Sequence, residues 1–133
     1  MTIATDSHVR FEGIADGSDL LGATQANFAV QRKGQNTKET SILLNDRAAT
    51  YLAGVLGTED TIAFRESAAR HLGQLWVEML VERGRHLDSI YFLAKSSLEA
   101  EPAIVAHLKE LVQHATAMHA AHDAATHAEL AHA

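Results

Sequence analysis

The clearest pattern along the chain is a run of apolar residues at helical spacing between Thr58 and Gly84. At about 100° per residue, the apolar positions fall on one broad face. Glu66 and Arg70 fall on the other face, one turn apart, which is the spacing of an ion pair. Cap-type and acidic residues begin the run, and glycine is common just after a helix end. The pattern predicts a long amphipathic helix that ends near Arg83.

Weaker helical patterns lie on both sides of this run. Apolar spacing predicts helices over residues 20–32 and 41–56, and Gly57 is suited to end the second. Residues 86–99 carry a further apolar stripe. Pro102, the only proline, fits the first turn of a last helix. The apolar positions of that helix recur at spacings of four and three: Ile104, Leu108, Leu111, Ala115 and Met118.

The segment between residues 27 and 45 also fits a second interpretation. Short apolar runs do not distinguish a strand from a helix. NFAVQRKGQNTKETSILLN can therefore form a β-hairpin, in which Phe28 and Val30 face Ile42 and Leu44. Nearer the N-terminus, apolar and polar residues alternate over positions 8–12, which is compatible with a short strand.

Together these elements predict an all-α fold, a compact antiparallel bundle of four to five helices, with a short N-terminal β-hairpin as the alternative. A chain of 133 residues has the length of one domain and is large enough to bury a core. We expect residues 1–17 to be a flexible N-terminal arm and residues 18–133 to be a single helical domain.

Composition narrows the classes of function. The absence of cysteine excludes disulfides, thiolate metal sites and a cysteine nucleophile, and it fits a cytoplasmic protein. No apolar run approaches the length of a membrane span, so we expect no membrane partner. A formal net charge of −6, without a cluster of basic residues, disfavours nucleic acid as a partner.

Histidine is concentrated in HATAMHAAHDAATHAELAHA, residues 114–133. On a helix, His119 and Asp123 are one turn apart and can share a metal ion, but a full site needs ligands from another helix. The long helix offers such ligands along one column. The candidate ligands of a divalent transition metal are His71, Glu78, Glu82, His114, His119, His122 and Asp123.

Two other interpretations of the histidines stay open. Protonation of all nine would carry the net charge from −6 to +3, so they could form a pH-dependent interface. We favour the simplest interpretation, in which alanine and histidine form a solvated helix end, and we therefore expect no cofactor.

The sequence contains no Gly-rich phosphate loop, nucleophile elbow or metalloprotease motif. These absences disfavour an enzyme, and we therefore predict no catalytic residue. The apolar face of the long helix is wide for so small a protein, which favours a homo-oligomer. The expected interface residues lie on this helix and on the last one: Leu72, Trp76, Met79, Leu111 and Met118.

We therefore expect a small non-catalytic helical protein that acts through protein–protein association. It would be an accessory, assembly or regulatory component of bacterial type, homo-oligomeric and able to bind a larger protein partner. Two alternatives remain: a metal-dependent helical-bundle enzyme using the His, Glu and Asp ligands above, and a small subunit of a larger enzyme complex.

Overall fold

The computed structural model describes residues 7–15 and 22–113, and these form an α/β fold around a four-stranded mixed sheet. The strand order is β1-β2-β3-β4. The first three strands are antiparallel, and β4 runs parallel to β3. The prediction of an all-α helical bundle is therefore wrong. The strands are β1 (Ser7–Ile14), β2 (Ala23–Arg32), β3 (Lys38–Asn45) and β4 (Ile90–Leu93).

The hairpin alternative is the one that the structure contains. Residues 23–30 of β2 pair with the whole of β3, with Ala26 opposite Ile42 and Phe28 opposite Thr40. Alternation of side chains puts these four residues on one face, where all are buried. In this register Phe28 and Val30 therefore do not lie opposite Ile42 and Leu44, contrary to the prediction from the sequence. The helix predicted over residues 20–32 from apolar residues at helical spacing is wrong over Ala23–Arg32, which form β2. Ala26, Phe28 and Val30 alternate along this strand and are buried on one face. Residues 7–14 of the predicted N-terminal arm form β1.

Four helices occur in the described part of the chain: α1 (Asp46–Leu56), α2 (Ile62–Glu82), α3 (Lys95–Glu99) and α4 over residues 102–113. The helix predicted over residues 41–56 begins later than expected, because its first five residues belong to β3. The Asn45 side chain accepts a hydrogen bond of 2.8 Å from the backbone N–H of Arg47 and caps α1. The helix ends at Gly57, whose φ of 68° is the left-handed conformation of a helix C-cap.

The long helix is confirmed as α2, capped by Thr61 rather than by Thr58. Its backbone lies directly on the sheet at Gly73. A Cβ atom there would stand 2.7 Å from the Phe28 ring and 3.3 Å from the Ile42 side chain. The small residues Ala68 and Ala69 precede this contact and are buried, so the apolar face of α2 covers the hairpin.

The stripe predicted as a helix over residues 86–99 divides into β4 and α3. Parallel strands need a long crossover, which α1 and α2 supply between β3 and β4. The loop before β4 is fixed to β3, because the Thr40 hydroxyl donates to the carbonyl of Asp88 at 2.7 Å and the N–H of Ser41 donates to Ser89 at 2.9 Å. These contacts join residues far apart in sequence, so helical periodicity could not reveal them.

The last predicted helix is confirmed over residues 102–113 as α4, with Ile104 and Leu108 in the core. A salt bridge of 3.1 Å from Arg83 to Glu101 joins the end of α2 to the start of α4. Ala115 and Met118 lie outside the described residues. Within the described part of the chain, no helix combines the length and apolarity needed to cross a bilayer.

Candidate functional site

The candidate site lies along β1, which within residues 7–15 and 22–113 is an edge strand that pairs only with β2. The pairing runs in one register from Ser7 to Phe11 and shifts at a bulge between Phe11 and Gly13. Gly13 has a φ of 139°, a conformation that other residues rarely adopt. The bulge therefore divides β1 and leaves a regular edge from Ser7 to Phe11.

Helix α2 packs against one face of β1. Phe11 packs edge-on against Phe28 with ring centroids 5.6 Å apart, and the Arg70 guanidinium lies 4.7 Å from the centroid of the Phe11 ring. The side-chain amide of Gln74 donates to the backbone carbonyl of Val9 at 2.9 Å. An aromatic pair, a cation–π contact and a hydrogen bond thus fix β1 against α2.

An open groove of about 860 Å³ follows the edge of β1 that no described strand pairs with. Successive side chains of a strand point to opposite faces. A groove that contacts four consecutive residues of β1 must therefore run along the edge of the strand rather than over one face. The four strand residues are His8, Val9, Arg10 and Phe11. Its walls are formed by residues of α2 on one side and of the β2–β3 hairpin on the other: Arg70, His71, Gln74, Ala29, Gln31 and Thr37.

The groove is positively charged, although the whole chain has a formal net charge of −6. Two arginines and two histidines line it, and none of its lining residues is acidic. Arg10 shares a 3.0 Å salt bridge with Glu12 outside the groove. Burial lowers the pKa of His71, and the neighbouring Arg70 lowers it further. The two arginines carry a fixed positive charge in the groove.

The candidate metal ligands do not form a site in the described residues, among which no group of three or more His, Asp or Glu side chains converges on one point. His71 lines the groove, and Glu78 accepts a hydrogen bond of 2.8 Å from Gln74. Glu82 is exposed at the end of α2. The remaining candidates lie outside the described residues: His114, His119, His122 and Asp123.

The residues expected to form an interface have different surroundings. Leu72 and Met79 are buried in the core and Trp76 is half-buried against it, so the sheet accounts for most of the breadth of the apolar face of α2. Leu111 on α4 is 42% exposed. Met118 lies outside the described residues.

Sequence reasoning missed the groove, since none of its residues except His71 was a candidate. The expected ion pair between Glu66 and Arg70 is not among the salt bridges of the described residues, and Arg70 lies over Phe11 instead. The one available signal was the alternation of Val9 and Phe11 with polar residues, because it predicts a half-buried strand beside another element.

No match to this chain was found among models of protein families, curated proteins or solved structures.

Proposed function

We propose that this protein acts through protein–protein association, and that its binding surface is the groove along the free edge of β1. The observation that carries the proposal is that four consecutive residues of an edge strand line one open groove. A strand edge presents backbone N–H and C=O groups that an added strand can pair with. The Val9 carbonyl accepts one hydrogen bond from Gln74 and keeps a second lone pair for such pairing. The expected partner is thus an extended segment of another protein.

The surroundings of β1 suit strand addition. Main-chain hydrogen bonds supply affinity in this mode, and pockets for alternate side chains supply selectivity. The groove has walls on both faces of the strand, with Arg70 and Gln74 on one side and Gln31 and Thr37 on the other. The bulge after Phe11 ends the regular edge, so an added strand pairs with the N-terminal half of β1.

Association through this groove does not require the helical bundle expected from the sequence. We also propose a cytoplasmic location, which the absence of cysteine supports. A homo-oligomer and a larger protein partner remain compatible proposals.

Selection from a random library of peptides of about ten residues, the upper length of a typical strand, tests the proposal. Selected peptides are expected to slow hydrogen exchange of the backbone amides of residues 8–11. The amides of β4, the opposite edge of the sheet, serve as the internal control. Protection confined to β4 or to the helices, or the absence of any selected peptide, would contradict the proposal.

A pair of variants separates the groove from the rest of the surface. Thr37→Trp places a large ring at the wall of the groove, whereas Thr58→Trp makes the same change at an exposed position after α1. We expect Thr37→Trp to weaken peptide binding by about tenfold or more, because the ring occupies part of the space of the added strand. Thr58→Trp should bind as the unmodified protein does, and equal losses in both variants would place the binding surface elsewhere.

A further inference from the structure

The charge along the groove identifies the chemistry of the segment that it binds. Arg10 and Arg70 line the groove together with His8 and His71, and no lining residue is acidic. The rest of the molecule is acidic enough to give a formal net charge of −6. Like-charge contacts disfavour a basic segment at this site, and complementary contacts favour an acidic one.

Arg70 has unused hydrogen-bonding capacity. Its guanidinium lies over the Phe11 ring, and a stacked guanidinium keeps its N–H donors in the plane of the group. Among the described residues, Arg70 makes neither a hydrogen bond nor a salt bridge. A carboxylate entering the groove beside Phe11 therefore meets a cation already held in place by the ring.

Arg10 provides the matching cation on the opposite face of β1. Its side chain is 74% exposed, and a single guanidinium nitrogen contacts Glu12. Guanidinium has five N–H donors, so Arg10 can bind a second carboxylate without losing the first. The two faces of the strand edge thus each present one arginine.

We infer that the partner segment carries two consecutive acidic residues at the point where it pairs with Arg10 and Phe11. This inference rests on the proposed function of the groove. Arg10 and Phe11 are neighbours in β1 and point to opposite faces, and Arg70 covers the Phe11 face. Because the added strand alternates in the same way, one carboxylate reaches Arg10 and the next one reaches Arg70.

A second copy of this chain is a poorer occupant. Antiparallel pairing of two β1 strands about Arg10 would place the arginines of both copies side by side, and like charges directly opposite destabilise a strand pair. We therefore propose an acidic segment of another protein as the occupant of the groove, and a homo-oligomer would use a different surface.

Synthetic strand peptides test the charge and the spacing separately. Four capped peptides of about ten residues share alternating Thr and Val, which favour strands. They differ at the centre, which is Glu-Glu, Gln-Gln, Lys-Lys, or two Glu residues separated by one Val. Fluorescence anisotropy gives each Kd for the full chain, and hydrogen exchange at residues 8–11 locates each bound peptide.

We expect Glu-Glu to bind about tenfold more tightly than Gln-Gln, and Lys-Lys to bind most weakly. The separated pair should lose about threefold relative to Glu-Glu, because both of its carboxylates lie on one face. High salt should reduce the preference, since exposed charges are screened.

Charge-reversed variants identify the two arginines. Arg10→Glu and Arg70→Glu should each abolish the preference for Glu-Glu, and Arg70→Gln, a milder change at the same position, should reduce it. Arg47→Glu makes the same charge change at an exposed position on α1 and should leave the preference intact. Equal binding of Glu-Glu and Gln-Gln with protection at residues 8–11 would overturn the acidic partner alone. Loss of that protection with every peptide would overturn the proposed function as well.

Discussion

At the scale of single residues, Gly73 determines how closely α2 approaches the sheet. Its missing side chain lets the helix backbone lie against Phe28 and Ile42, both of which are buried. Any larger residue would have to push aside the Phe28 ring, which also supports Phe11 at the groove. The absence of a side chain at Gly73 therefore helps to set the position of β1 relative to α2.

Gly73→Ala is expected to lower the free energy of unfolding by about 1–3 kcal/mol, the usual cost of overpacking a core. Gly54→Ala is the matched control, because a Cβ atom at that helical position meets no atom within 4 Å. It should stabilise the protein by up to about 1 kcal/mol through better helix propensity. Urea unfolding of both variants checks the prediction, and a neutral Gly73→Ala would show that the ring moves without cost.

His71, which lines the groove, is expected to make the free energy of unfolding depend on pH. His71 keeps an exposed surface, but its partial burial and the adjacent Arg70 disfavour its protonated form, so its pKa in the folded protein lies below the ordinary value of 6.5. His8 and Arg10, which line the same groove, add no acidic partner for it. As the pH falls below about 6.5, the unfolded chain binds a proton before the folded one does, and stability declines until the folded pKa is passed.

His71→Gln should therefore lose less stability than the unmodified protein when the pH falls from about 7.5 to about 5.5. The measurement is the free energy of unfolding at both values. His86→Gln, an exposed change in the loop before β4, is the control and should decline as the unmodified protein does. An unchanged decline in His71→Gln would refute the coupling.

At the scale of secondary-structure elements, α2 is held at both ends. Arg65 near its start binds Asp46 of α1 at 2.7 Å and Asp60 of the preceding loop at 2.8 Å. The hydrogen bond from Arg65 lowers the pKa of Asp60. Arg83 at the other end binds Glu101. These contacts orient the helix that forms one wall of the groove.

The cap of α2 distinguishes two threonines that the sequence alone does not. The Thr61 hydroxyl accepts a hydrogen bond of 3.0 Å from the backbone N–H of Phe64, whereas no side-chain hydrogen bond of Thr58 occurs in the described residues. Thr61→Ala should cost about 1 kcal/mol of unfolding free energy, a typical loss for an N-cap. Thr58→Ala should change it by less than about 0.5 kcal/mol. Thermal unfolding compares the two, and the reverse order would mean that the helix begins at Thr58.

At the scale of the whole molecule, the helices after β4 complete the core. Leu98 of α3 and Leu108 of α4 are almost fully buried, and both belong to the same cluster as Phe28 and Leu72. The sheet and the helices therefore share one core, and we expect one cooperative unfolding transition.

Leu108→Ala should lower the free energy of unfolding by about 2–5 kcal/mol, because it leaves a cavity in the shared core. Leu111→Ala is its control on the same helix, at a position 42% exposed, and should cost less than about 1 kcal/mol. Denaturant unfolding followed at Trp76 reports on the core. Similar small effects of both substitutions would mean that α4 unfolds separately from the sheet.

Some features of this protein follow from the sequence by itself. Helices α2 and α4 can be predicted from the sequence, because helical hydrogen bonds join residues four apart. The apolar face of each helix is therefore visible as a periodic pattern within a short stretch of sequence. The end of α1 at Gly57 can also be predicted, because a C-cap glycine is a local signal. The alternation in β1 and the hairpin were visible as well, but a short alternating run did not by itself decide between strand and helix.

The sheet and the groove were decided by the tertiary structure. Residues 90–93 form a strand because they pair with residues 41–44 of β3. Two helices separate the paired segments in the chain. The groove joins β1 to side chains of α2, where Gln74 stands 65 residues from Val9. Strand pairing and groove walls depend on partners distant in the chain, and a local pattern of apolar and polar residues carries no information about which partner is chosen.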